Sequence, residues 1–156
     1  MSHEFRIGLG FHFEDLPVGT RFRTAGRTVT EADLVAFCNL TWLTEELFTN
    51  ARERPSGPLA GRVVPGALVY SFAEGLLLAS MQGTGLAFMG AALDMKAPTH
   101  VGETIVVHCE VVEARLASAP GRGVVRTRNE VRADERTVLI YDPVRLLKTR
   151  GHLGQL

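Results

Sequence analysis

One stretch limits the fold more than any other. It is VVPGALVYSFAEGLLLASM, residues 63–81, the longest apolar segment of the chain. Pro65, Glu74 and Gly75 interrupt it, and a bilayer span needs about 20 predominantly apolar residues. The segment therefore reads as a soluble-type helix over 66–82. Leu68, Tyr70, Phe72, Leu76, Leu77, Leu78 and Met81 fall all around its circumference, which predicts a helix buried on most sides. Burying each such side chain contributes about 1.5–3 kcal/mol, so this helix is expected at the centre of the core.

Beyond the helix the chain is β-patterned. LAFMGAALDMKAP (86–98) reads as one strand. In TIVVHCEVVEARL (104–116), Ile105, Val107, Cys109 and Val111 share a face and His108 and Glu110 lie opposite. PGRG is a turn, VVRTRNEVRA (124–133) a strand with Arg126, Arg128, Glu130 and Arg132 on one face, and DERT a hairpin turn. VLIYDPVRLLKT (138–149) closes the meander. Pro143 cannot donate to a ladder, so it marks an edge or a bulge. Upstream, FEDLPVGTRFRTAGRTVT holds a turn at Pro17–Gly19 and a short strand. TEADLVAFCNL reads as a helix that Thr30 caps, with Glu31 and Asp33 at the positive end of its dipole. Thr44 is the expected cap of a second short helix, EELFTNARER. PSGPLAGRVVPG, with its prolines and glycines, is a loop.

The order predicts an α+β domain in which an antiparallel sheet wraps around one long central helix. Such a sheet leaves an edge to protect, which points to a homodimer or a dimer of dimers. At 156 residues, 46% hydrophobic, the chain suits a single domain over 1–156. Lys+Arg and Asp+Glu number 17 each, which argues against a nucleic-acid partner. Cys38 and Cys109 lack the spacing of a zinc site or disulfide framework and read as buried thiols. MSHEFRIGLG has no basic n-region followed by an apolar run, so a cytoplasmic protein off the membrane is expected. None of the five histidines has a partner at a metal-ligand spacing, so no metal is expected.

Taken in order, FEDLPVGTRF, TVTEADLVAF, GRVVPGALVYS, KAPTHVGETIVVHCEVVEAR and PGRGVVRTRNEVR resemble the MaoC-like dehydratases, the R-specific enoyl-CoA hydratase group. The resemblance covers roughly residues 11–150. It implies a hotdog fold, edge-to-edge pairing of two units, and an acyl-CoA thioester near their interface. Coenzyme A then enters as part of the substrate and no separate cofactor is needed. The family's chemistry uses a phrase of the form D-x-N-P-x-H after the first helix. Its aspartate and histidine serve the water and the α-carbon as base and acid.

Here the corresponding stretch is FCNLTWLTEELF, residues 37–48. It aligns in two ways. One drops the dyad outright; the other sets Asn39 in the Asp position and Thr44 in the His position. An amide has no useful basicity and a hydroxyl does not shuttle protons as imidazole does. Trp42, at the same place, is expected to fill the catalytic cavity or else line an acyl tunnel. Gly66, after Pro65, is the oxyanion candidate, because a glycine at a helix N-terminus lets a carbonyl approach the backbone. Glu74, the one acid in the apolar helix, is the candidate base of a thioesterase-like alternative, or else pairs with an arginine. His100 reads as a surface residue of a turn. Arg62, Arg122, Lys148 and Arg150 are possible phosphate contacts. Three functions stay open: a hydro-lyase with displaced catalytic groups, a thioesterase using Glu74, and a binding protein that retains the fold.

Overall fold

The computed structural model describes residues 7–152. The long strands are β3 (Gly85–Met95), β4 (Thr104–Leu116), β5 (Arg122–Ala133) and β6 (Arg136–Lys148), preceded by the short β1 (Arg21–Arg23) and β2 (Arg27–Thr28). All belong to one antiparallel sheet in the order β1-β4-β5-β6-β3, with β2 pairing on β4. In β4 the alternation is as expected: Ile105, Val107, Cys109 and Val111 are buried, and His108 and Glu110 face the other way.

The first helix, α1 (Glu31–Thr41), begins where its capping chemistry says it should. The Thr30 hydroxyl accepts from the Asp33 amide at 3.2 Å, and the Asp33 carboxylate accepts from the Thr30 amide at 2.9 Å. Leu34 and Cys38 turn inward. The next helix, α2 (Glu46–Thr49), is far shorter than EELFTNARER, and Thr44 does not cap it: its N-cap is Glu45, with no side-chain bond. The Asn50 side chain accepts from the amides of Arg52 and Glu53 at 2.9 and 3.4 Å, which takes the chain out of helical hydrogen bonding. The Pro/Gly loop holds one 3₁₀ turn, Gly57–Leu59.

The central helix is α3 (Gly66–Leu76), continued by one turn, α4 (Leu78–Met81). Leu68, Val69, Ala73 and Leu77 are buried in one cluster with Ile105, Val107 and Tyr141 of the sheet. The helix is not buried on most sides, as its composition suggests. Ala67, Ser71, Gly75 and Leu78 are exposed, because the sheet covers one side only. Arg27 closes one flank, its guanidinium 3.7 Å from the centre of the Phe72 ring.

Pro143 also departs from expectation. It lies in β6, an interior strand of this sheet, opposite Ala91 of β3. It is tolerated there because β5 makes no ladder pair with it: the register passes from Arg126↔Val144 to Asn129↔Tyr141. One edge strand is β3, which pairs only with β6 and leaves Leu86, Phe88, Met89, Leu93 and Met95 exposed. No helix of the described residues is long and apolar enough to cross a membrane.

One-sided burial of α3 makes a sharp contrast testable by urea unfolding. Leu68→Ala, at 0% exposure, is expected to cost about 2–5 kcal/mol. Leu78→Ala, at 58% exposure, is expected to stay within about 0.5 kcal/mol of wild type. Equal losses would mean that the outer face of the helix is covered.

Candidate functional site

The site grows from the way the chain enters α3. Val63 bridges His100, the Val64 amide donates to the Thr99 carbonyl at 2.9 Å, and the Val101 amide donates to the Arg62 carbonyl at 2.9 Å. This short ribbon delivers Pro65, whose carbonyl accepts the Leu68 and Val69 amides. Gly66 is the first helical residue, so its amide belongs to the donors a helix leaves unclaimed at its N-terminus. A Cβ on Gly66 would lie 3.0 Å from Cε of Met95 and 3.1 Å from its sulfur. Both atoms belong to the flexible Met95 side chain, which packs against the start of the helix.

Beside Gly66 opens a pocket of about 320 Å³. Leu47 and Phe48 of the α2 segment, Val63, Val69, Met95 and Val138 give it apolar walls. Thr99 and Lys96 are its polar side chains, and Lys96 pairs with Asp94. Among the described residues that line it, none is Asp, Glu or His.

Arg62 frames this pocket from outside. Its Nε donates to both oxygens of Glu31 at 2.9 Å, and its Nη1 donates to the carbonyl of Phe48. One guanidinium thus ties α1 to the α2 segment that walls the pocket. It is thereby committed and unsuited to hold a phosphate; Arg150, paired with Asp15, is committed too. Arg122 and Lys148 face each other across β5 and β6 and make no ion pair among the described residues, so these two remain suited to an anion. His100 is half-buried rather than a plain surface residue: Nε2 lies 2.9 Å from the Ala60 carbonyl and Nδ1 3.6 Å from Glu103.

The other sequence candidates are not gathered here. Asn39 and Thr44 are exposed, on α1 and just after it, and neither lines the pocket. Trp42 fills no cavity within this chain: it is 86% exposed. The Thr41 hydroxyl bonds back to the Phe37 carbonyl at 2.6 Å, α1 ends there, and Trp42 turns left-handed with φ 62°. That turn carries its ring outward. Glu74 is also absent from the pocket lining. Its carboxylate accepts from Arg145 at 2.7 and 2.9 Å and from the Tyr141 hydroxyl at 2.8 Å. Pairing with an arginine is therefore the observed arrangement, and a carboxylate so engaged is not poised as a base. Burial, then the neighbouring carboxylate, pushes the Tyr141 phenol up. Burial pushes the Cys109 thiol up to about 12 and raises Cys38 as well, so neither is a thiolate nucleophile. Met95 and Thr99 join the site without a signal in the sequence. Nothing in KAPTHVGE distinguishes a pocket-lining threonine from a turn residue.

No family model matches the chain. It is 27% identical over 94 residues to an (R)-specific enoyl-CoA hydratase of Rhodospirillum rubrum, covering 60% of this chain and 65% of that one, just under two thirds. It is 24% identical over 113 residues to a 3-hydroxybutyryl-CoA dehydratase of Methylorubrum extorquens, covering 72% and 69%. Among solved structures it matches a MaoC-like dehydratase of Rhodospirillum rubrum with a TM-score of 0.77 at 22% identity, over 90% of this chain and 99% of that one. A Mycobacterium tuberculosis protein with a double hotdog fold matches with a TM-score of 0.78 at 22% identity. The match covers 97% of this chain and 48% of that larger one. The fold is a hotdog, as the sequence resemblance implies.

The Arg62–Glu31 tie has a pH signature. Hydrogen bonding from Arg62 holds the Glu31 carboxyl below its ordinary value. A depressed carboxyl contributes stability that is full above its unfolded pKa and is lost as pH falls through the folded one. The urea midpoint should therefore stay flat from neutrality to about pH 5 and fall below it, and Glu31→Gln should flatten part of that fall. An unchanged acid limb in the variant would remove the tie from the account.

Proposed function

We propose that this MaoC-like chain binds a short acyl thioester at the Gly66 end of α3 and does not hydrate it by the family's carboxylate–imidazole route. The thioester oxygen accepts from the Gly66 amide, where the helix terminus favours negative charge. The acyl chain enters the apolar pocket, whose 320 Å³ accommodates on the order of ten water-sized groups. The coenzyme A portion lies outward.

One observation carries this reading. A helix-terminal amide and an apolar cavity adjoin at Gly66, with the Met95 side chain against it, while no Asp, Glu or His among the described residues lines that cavity. The binding half of the chemistry is built and the proton-moving half is not. The names of the curated relatives, an enoyl-CoA hydratase and a 3-hydroxybutyryl-CoA dehydratase, support the ligand class. The thioesterase alternative has no such support, because both oxygens of Glu74 are engaged away from the pocket.

Titration calorimetry with butyryl-CoA, run beside an absorbance assay with crotonyl-CoA, tests this. Saturable binding is expected, weakened about tenfold or more by Gly66→Ala, with constant enoyl absorbance. Steady loss of enoyl absorbance that survives Asn39→Ala and Thr44→Ala would restore the hydro-lyase with displaced groups. Absence of binding would remove the thioester.

The same reading takes a second copy of the chain at β3. That strand offers an unpaired edge, and its end at Met95 borders the pocket, so a partner there stands next to the ligand. Light scattering should give twice the 17.0 kDa chain mass. Leu93→Glu, on β3 and 45% exposed in the single chain, should yield the monomer.

A further inference from the structure

The face of the sheet turned away from α3 carries an ordered set of charges. Residues opposite one another across an antiparallel pair share a face, so the ladder gives their order directly. One row runs Arg21, Glu110, Arg128 and Asp142 across β1, β4, β5 and β6. The next runs Arg23, His108, Glu130 and Ile140. On the other side of the first row, past a bulge in β4, Glu113 stands opposite Arg126. A groove of about 490 Å³ lies over β4, with Arg21 and Arg23 on one bank and Arg128 and Arg132 on the other.

Within one chain these charges are only partly satisfied. Arg21 reaches Glu110 at 3.0 Å and Arg126 reaches Glu113 at 3.4 Å, while Arg128 lies 3.9 Å from Asp142. All six side chains keep more than a third of their surface in water. A face built for a small anion would concentrate one sign. Here the signs alternate, and their order is antisymmetric about the line between β4 and β5.

That antisymmetry has a geometric consequence. Half a turn about the line, which runs along the strands, lays β4 over β5 and β1 over β6 of a second copy. Glu110 then meets the partner's Arg128, Arg21 the partner's Asp142, Glu113 the partner's Arg126, and His108 the partner's Glu130. Each contact occurs twice, as an isologous interface requires. The two sets of strands stay aligned, which is one of the ways in which sheet faces pack. The groove over β4 is the space that the partner's β5 arginines enter.

We propose that this outer face pairs with a second copy of the chain about that two-fold, through Glu110–Arg128 and Glu113–Arg126 contacts made across the interface. The surface is separate from the β3 edge, so the two together give a dimer of dimers. It lies on the opposite side of the sheet from α3 and leaves the pocket beside Gly66 open. Complementary charges at a solvent-facing interface fix its register and are screened by salt. Association through this face therefore belongs to low ionic strength, and at high ionic strength the β3 pair alone remains.

Sedimentation equilibrium of the full chain at about 0.02 M and about 1 M salt tests this. In wild type the mass should double on passing to low salt, from two chains to four. In Leu93→Glu it should double from one chain to two, which separates this face from the β3 edge. Arg128→Glu should abolish the doubling in both backgrounds, because carboxylates then meet across the two-fold. Adding Glu110→Arg should restore it, because the rotation exchanges the two positions. Thermal melts establish that the variants fold. A mass indifferent to salt, a doubling that survives Arg128→Glu, or one that the second exchange does not restore overturns the proposal.

Discussion

The whole arrangement of this chain depends on how α3 is buried. Leu68, Val69, Ala73 and Leu77 face the sheet and lose all or nearly all their contact with water, while Ala67, Ser71, Gly75 and Leu78 on the far side keep theirs. Burial of that one stripe sets the rotation and depth of the helix. Rotation and depth in turn decide where its N-terminus emerges. Gly66 reaches the end of β3, Met95 closes against it, and the space left between them and the α2 segment is the pocket.

Two arginines stabilise this arrangement in different ways. Arg62 works at the periphery, joining Glu31 of α1 to the carbonyl of Phe48 and so holding the pocket wall in place. Arg145 works beneath the helix, where its side chain is 12% exposed and holds Glu74. The Tyr141 hydroxyl completes that cluster, and Tyr70 stacks edge-on against the Tyr141 ring at 5.2 Å. A lone carboxylate in so apolar a helix would be costly; bonded to a guanidinium and a phenol it becomes a link between helix and sheet. The most conspicuous acid of the chain thus ties helix to sheet and does not line the pocket beside Gly66.

Sequence and structure agree wherever a local rule governs. The Thr30–Asp33 cap, the alternation in β4, the Asp134–Glu135 turn and the buried thiols are all readable, because each depends on neighbours along the chain or on period-2 burial. The departures share a cause. For Trp42, Pro143 and the outer face of α3, side-chain character alone is a poor guide. Their placement depends on which surface the sheet leaves uncovered and on which ladder bonds are absent opposite a given residue. Asn39 and Thr44 match a motif by alignment only, and the structure leaves both exposed: α1 runs on to Thr41 and turns out at Trp42.

Periodicity and residue type are enough to fix the class of fold, the apolar helix at its centre and the glycine at that helix's entrance. All three are written along the chain and need no knowledge of distant contacts. The meeting of Met95 and Thr99 with Gly66 in one cavity, and the capture of Glu74 by Arg145, are settled in three dimensions alone. Gly66 lies far along the chain from Met95 and Thr99, and Glu74 from Arg145; what brings them together is the packing of one helix on one sheet, which no local pattern encodes.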